Sequence, residues 1–178
     1  MSTLAQSNLP NPQMPGANAI AQSESQKFLR FRLGKQDNAL LSVLPIAEIT
    51  PLRVQEILPV PQMPSYILGI HNWRGAMLWL VDLGHLLGLS PLFENRSRAE
   101  LAMAIVVQED DRLLGLVVDR VAEIEQYHPS QIQPPDSQLF PANLLPYLQG
   151  FFIQDQQDVL TVLDVSAIFQ VPQWRSLM

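Results

Sequence analysis

The chain has 178 residues, 47% of them hydrophobic and 16% charged, with a formal net charge of -6. That length suits one compact domain or two small units sharing a core and excludes a large multidomain enzyme. The acidic balance, with no useful Lys/Arg block, argues against nucleic acid or anionic lipid as a partner. The absence of cysteine removes disulfides, thiolate metal sites and cysteine nucleophiles and fits the cytosol.

Residues 1–24 are rich in Ser, Asn, Gln, Pro and small side chains without sustained periodicity, and are expected to form a flexible tail ahead of a domain at 25–173. They lack the basic region followed by an apolar core of a signal peptide, and no apolar run in the chain approaches the roughly 18 residues of a membrane span. In "QKFLRFRL", Leu29, Phe31 and Leu33 alternate with Arg30 and Arg32, the two-residue period of a half-buried strand. "GKQDN" then supplies a turn before the apolar run "ALLSVLP". After "IAEI", Pro51, Pro59, Pro61 and Pro64 rule out a long helix, leaving short strands, turns and room for one helical turn within 52–58.

"YILGI" and "AMLWLVDL" flank "HNWRG" as strand, connection and strand. Asp82 is placed to cap a short helix over "LGHLLGL". The polar bridge "FENRSRAE" divides the domain into halves of about 25–95 and 96–173, each expected to form a subdomain. Beyond it, "LAMAIVV", "QEDD" and "RLLGLVVDRV" read as a second hairpin, "HPSQIQPPDSQLFPANLLPY" as a long connection, and "LQGFFIQDQQDVLTVLDVSAIF" as two strands and a last helical turn or two.

A weak internal repeat links the halves. Residues 28–49 align with 103–124 at an offset of 75, both ending in "AEI", and "LWLVDLGHLL" aligns with "LTVLDVSAIF" at an offset of 82, placing Asp82 over Asp164. The shared order of hairpin, proline-rich connection, strand and Asp-capped turn predicts an all-β fold of two similar barrels, in which closure removes exposed strand edges.

Catalytic chemistry has little to work with. His71, His85 and His128 have neither cysteine nor a paired-histidine motif to complete a zinc site, and no serine sits in a nucleophile elbow. Asp82 and His85 are three apart, a spacing that suits a cap and a boundary histidine better than a functional pair. The glycines form no phosphate-cradling loop; Gly69 and Gly75 read as supports for the connection between strands. Neither an enzyme activity nor a cofactor is expected.

Trp79, inside an apolar strand, is expected to pack on the core or an inter-barrel face, with contact to a partner protein as the alternative. Trp73 lies between Asn72 and Arg74 in a polar connection, where it either stiffens the loop or contacts another protein; Arg74 either pairs with a local carboxylate or presents its planar fork to a partner.

The run "ILGIHNWRGAMLWLVDLGHLLGL", with "LLGLVVDRVAEI" at 113–124, Gly150 and the pair Leu163-Asp164, resembles the CheW-like domain family of bacterial chemosensory arrays. Gly69, Asn72, Arg74, Gly75, Asp82, Leu83, Gly115, Asp119 and Asp164 are the matching positions, and the likeness spans about residues 27–170. The resemblance implies two SH3-like five-stranded barrels with short helices around a hydrophobic seam. It also implies a non-catalytic cytoplasmic adaptor that binds a CheA-like histidine kinase and the cytoplasmic tip of a methyl-accepting receptor. Arg74 would lie in the receptor-binding region with Asn72 as its orienting neighbour, Trp73 beside them, and Gly69, Gly75, Asp82 and Asp164 as structural motif positions. Trp73, where a small aliphatic residue is common in the family, and the proline-rich "LRVQEILPVPQMPSY" point to the type IV pilus or phototaxis-associated subtype rather than the flagellar one. A protein-binding regulatory module outside a receptor array is the alternative.

Overall fold

The computed structural model describes residues 25–94, 101–154 and 158–175; the tail expected over 1–24 and most of the polar bridge at 93–100 lie outside the described residues. The strands are β1 (Gln26–Leu33), β2 (Gln36–Ser42), β3 (Ile46–Arg53), β4 (Ile67–Trp73), β5 (Ala76–Asp82), β6 (Leu101–Glu109), β7 (Arg112–Val118), β8 (Val121–Tyr127), β9 (Leu148–Gln154) and β10 (Asp158–Leu163). Three short helices, α1 (Leu83–Leu86), α2 (Val165–Phe169) and α3 (Pro172–Arg175), and single 3-10 turns complete the described chain. The strands form two curled five-stranded sheets, ordered β8-β1-β2-β10-β9 and β3-β6-β7-β5-β4. The expected all-β architecture of two five-stranded units is present.

The expected division at 95/96 does not separate the sheets, since each draws strands from both sides of that boundary. Under the repeat, β1 to β5 correspond to β6 to β10, and substituting each strand by its counterpart turns one sheet order into the other. Each half therefore gives its first hairpin to one sheet and its last three strands to the other. The physical reason lies in the free edges of β2 and β7, which must be paired or covered. Those edges are taken in parallel by β10 and β5, with Leu40 opposite Val162 and Gly115 opposite Leu80. A tight hairpin cannot make a parallel pair, so the partner has to come from far along the chain.

The stretch read as one strand over "RLLGLVVDRV" is broken at Asp119 and Arg120, where the chain leaves one sheet for the other. Arg32 holds the crossing, donating its backbone N–H to the Arg120 carbonyl at 3.0 Å and pairing with Asp119 at 3.2 Å.

Because strands such as β2 and β6 are covered on both faces, their sequences are continuous apolar runs. Leu40 faces one barrel interior with Phe28, Phe152, Leu160 and Val162, while Ala39 and Leu41 turn to the seam between barrels. Ala104 and Val106 likewise face the other interior, and Ile105 and Val107 the seam. The seam holds the largest cluster, including Leu29, Phe31, Leu116, Leu163 and Phe169, so burial of apolar surface binds the two sheets into one unit.

Each barrel closes through one two-way backbone bridge. Leu58 and Ile70 exchange bonds of 2.8 and 3.0 Å, and Gln133 and Phe151 do the same at 2.8 and 3.0 Å. A glycine precedes the bridging residue in each case. A Cβ on Gly69 would stand 2.2 Å from the Leu58 carbonyl oxygen, and one on Gly150 2.2 Å from that of Gln133, so only glycine admits so close an approach. Gly69→Ala and Gly150→Ala are each expected to cost about 1–3 kcal/mol of stability in urea denaturation, the usual penalty of overpacking. Gly84→Ala, whose added carbon meets nothing closer than 3.6 Å, serves as the control that does not.

Strands β1 and β8 are tied by Arg30, which pairs with Glu125 at 2.9 Å, and by the Tyr127 hydroxyl, which donates to the same carboxylate. Burial alone raises the Glu125 carboxyl, but the bonds from Tyr127 and Arg30 outweigh it and hold the group below its ordinary range. A carboxyl depressed in the folded state contributes stability that is present above its unfolded pKa and lost as pH falls through its folded one. Glu125→Gln should therefore lower stability at pH 7 and flatten the acid limb of the stability profile, measured by denaturation from pH 7 down to pH 3.

Candidate protein-docking site

Strands β4 and β5 form a hairpin whose two-residue turn is Arg74–Gly75, with Trp73 paired to Ala76 on either side. Both turn residues have positive φ, 52° and 84°, the handedness that matches strand twist in a two-residue hairpin. Glycine adopts this conformation freely, whereas an arginine there costs about 1–2 kcal/mol that the surrounding structure must offset. Asn72 helps, its side-chain oxygen accepting the Gly75 N–H at 3.0 Å. Arg74 thus projects from a fixed tip.

Glu48 supplies the second restraint. Its Oε2 accepts the Trp73 indole N–H at 2.7 Å and pairs with Arg74 at 2.9 Å. It stands on β3 beside a shift of register between Ile46 and Glu48. The Arg74 guanidinium carbon lies 5.1 Å from the Trp73 ring centroid, so the cation rests on an aromatic plate. The Trp73 ring itself packs against the barrel cluster, while the Arg74 side chain stays 69% exposed. Directly across from Asn72, Met77 is 77% exposed and adds an apolar edge.

Asn72, Trp73 and Arg74 are thus brought together. Asn72 closes the turn, Trp73 is plate and anchor, and Arg74 is the accessible head. Gly69 and Gly75 support the bridge and the turn. Asp82, 2% exposed, caps α1 by accepting the His85 N–H at 3.0 Å, and Asp164 caps α2 through Ser166 and Ala167. Asp82 bonds the His85 backbone rather than its ring, whose Nε2 faces Ser65 Oγ at 3.4 Å, so no Asp/His functional pair is assembled. His71 Nδ1 lies 3.2 Å from the Glu56 carbonyl, which it can only donate to. Trp79 packs against the seam, as its strand position predicts. Among the described residues there is no group of three or more His, Asp or Glu able to hold a metal.

Sequence reasoning missed Glu48 and Met77. Glu48 sits in the repeated "AEI", which marked the register of the repeat but carried no sign that its carboxylate meets Trp73 25 residues later. Arg74→Ala should change stability by less than about 1 kcal/mol, because an exposed ion pair contributes little. Glu48→Ala, which also leaves the indole N–H without its acceptor, should cost about 1–2 kcal/mol in chemical denaturation.

Residues 27–173 match the family model for the CheW-like domain. The chain is 35% identical over 115 residues to the chemotaxis protein CheW of Rhizobium meliloti (strain 1021), covering 62% of this chain and 68% of that protein. It is 28% identical over 156 residues to the chemotaxis protein CheW of Helicobacter pylori, covering 87% and 88%. To Protein PilI of Pseudomonas aeruginosa it is 29% identical over 138 residues, covering 75% and 70%. Its fold is similar to that of the scaffolding protein TtCheW from Thermoanaerobacter tengcongensis, with a TM-score of 0.70 at 22% identity over 84% of this chain and 96% of that one. Since the family match takes in every strand of both sheets except the first residue of β1, the chain belongs to the CheW-like domain family.

Proposed function

We propose that this protein is a non-catalytic adaptor that couples a methyl-accepting receptor to a CheA-like histidine kinase. The observation that carries the reading is Arg74, held at a rigid hairpin tip on the Trp73 ring and yet 69% exposed. A fixed guanidinium can pair with a carboxylate or carbonyl pair without first losing much side-chain freedom, which suits docking. Glu48 occupies one side of the fork, so the receptor tip meets the remaining donors together with the exposed Met77. The chemotaxis CheW relatives support the adaptor role. The likeness to PilI supports an output through pili. No helix among the described residues is long and apolar enough to cross a membrane, and on this reading the protein reaches the membrane through its receptor.

The test is co-sedimentation of the full chain with receptor-containing membranes, with and without the kinase. Arg74→Ala should weaken receptor binding by roughly 2–5 kcal/mol if the contact is desolvated and by much less at a rim. Arg74→Glu should abolish it while kinase capture in a pull-down persists. Unchanged receptor affinity in a folded Arg74→Glu protein would sink the assignment of this hairpin as the receptor site.

A further inference from the structure

The two parallel pairings match position by position but not in bulk. Trp79 on β5 corresponds to Thr161 on β10 at the offset of 82, and their cross-strand neighbours Leu114 and Ala39 correspond at the offset of 75. In the β5–β7 pairing the Trp79 ring packs against the seam, where the buried Leu114 also lies. In the β2–β10 pairing the Thr161 and Ala39 side chains together carry about ten fewer heavy atoms, a shortfall that close packing would have to make good.

Neighbouring side chains do not make it good. A cleft of about 450 Å³ opens at Thr161, lined also by Leu33, Leu87, Leu139, Leu144 and Val159 among others, with no charged side chain in its walls. That volume falls within the range of small-molecule sites. One wall is an addition to the repeat. Leu58 and Tyr66 stand eight positions apart, whereas Gln133 and Tyr147, which make the matching backbone bonds, stand fourteen apart. The longer loop brings Leu139, Phe140 and Leu144 to the cleft. It is held there at two points: the Phe140 and Phe151 ring centroids lie 5.5 Å apart, and Asn143 Nδ2 donates to the Leu87 carbonyl at 2.7 Å.

Thr161 supplies a second, independent sign of a ligand. It is only 4% exposed and lines the cleft, yet among the described residues its hydroxyl has no hydrogen-bond partner. A hydroxyl withdrawn from bulk water is costly unless something bonds it. We propose that this cleft binds a small, uncharged, planar aromatic molecule of about the size of indole. Its ring takes the place that the Trp79 ring fills in the other pairing, and its one polar group bonds Thr161 Oγ1. Absence of charge in the walls selects against ionised ligands, because an ion there would lose its hydration without gaining a partner. The ligand touches Leu87 of the first half and Leu139, Leu144 and Val159 of the second, so its binding ties the halves together.

Indole itself is the probe. Titrated into the isotope-labelled full chain and followed by amide-resolved NMR, it should give saturable shifts at Thr161, Val159, Leu139 and Leu144 with a Kd on the order of 0.1–1 mM, and none at Asn72 or Gly75 on the hairpin tip. Thr161→Trp, which copies the other pairing, should abolish binding. Leu139→Asp, at a wall position that is 53% exposed and so spares the fold, should weaken it about fivefold or more. Thr161→Val should weaken indole several-fold and leave indene, the hydrocarbon of the same shape, unchanged. The proposal is overturned by the absence of saturable shifts, by binding that survives Leu139→Asp or a folded Thr161→Trp protein, or by equal losses of indole and indene in Thr161→Val. Tighter binding of N-acetyltryptophanamide, which carries the same ring on peptide groups, overturns it as well, since the occupant is then a partner's side chain.

Discussion

Two parallel strand pairings, β2 with β10 and β5 with β7, hold the rest of the structure in place. In each, the inner strand of a hairpin from one half meets the last long strand of the other. Remove either pairing and a five-stranded sheet falls into a two- or three-stranded fragment with a long apolar edge. Neither half can therefore complete a barrel alone. The shared seam follows from this exchange, because the chain must cross between sheets at residues 43–45 and 119–120, and the apolar faces meet where it crosses.

The β4–β5 hairpin that carries Arg74 depends on closure of its barrel in the same way. Strands β3 and β4 lie at opposite ends of their sheet order, and they meet because the chain beyond β3 returns to pair Leu58 with Ile70. That return places Glu48 of β3 within reach of Trp73 and Arg74 at the end of β4. Gly69 permits the approach, so a residue that touches no partner helps set where the guanidinium stands. The two motif glycines act at different levels: Gly69 brings the strands together and Gly75 shapes the turn between them.

Divergence within the repeat separates function from framework. Tyr66 and Tyr147 carbonyls accept the amides of Asp82 and Asp164 at the same distance of 2.8 Å, and both aspartates cap short helices. The surfaces differ around these shared parts. The first half carries a two-residue turn with Arg74, whereas Gln154 and Asp158 bound a segment of three residues at the matching place. Asp119 in the second half stands where the first half has Leu44, and one barrel interior stacks Tyr127 on Phe152 while the other is lined by Ala102 and Ala104. Framework positions answer to hydrogen-bond geometry that admits few residues, and the exposed positions around them are free of that constraint.

Much of the fold was legible locally. Alternation in β1, the apolar runs of β2 and β6, the proline-rich connections and the Asp-capped turns follow from periodicity, from proline's missing N–H and from the orphan amides at a helix start. The repeat pointed to two similar barrels, and the motif at residues 69–75 pointed to Arg74, Trp73 and Asn72 as a group. The exchange of hairpins between halves was not legible, because a repeat states which segments are alike and not which of them pair. Glu48 stayed hidden for the same reason, since its carboxylate gains meaning only when the barrel closes on Trp73. By itself, then, the sequence determined most of the strands, the aspartate caps and the polar connection that carries Arg74, all governed by interactions within a few residues. Only the tertiary structure decided which half completes which sheet and what holds that arginine still, because both rest on pairings between segments distant in the chain.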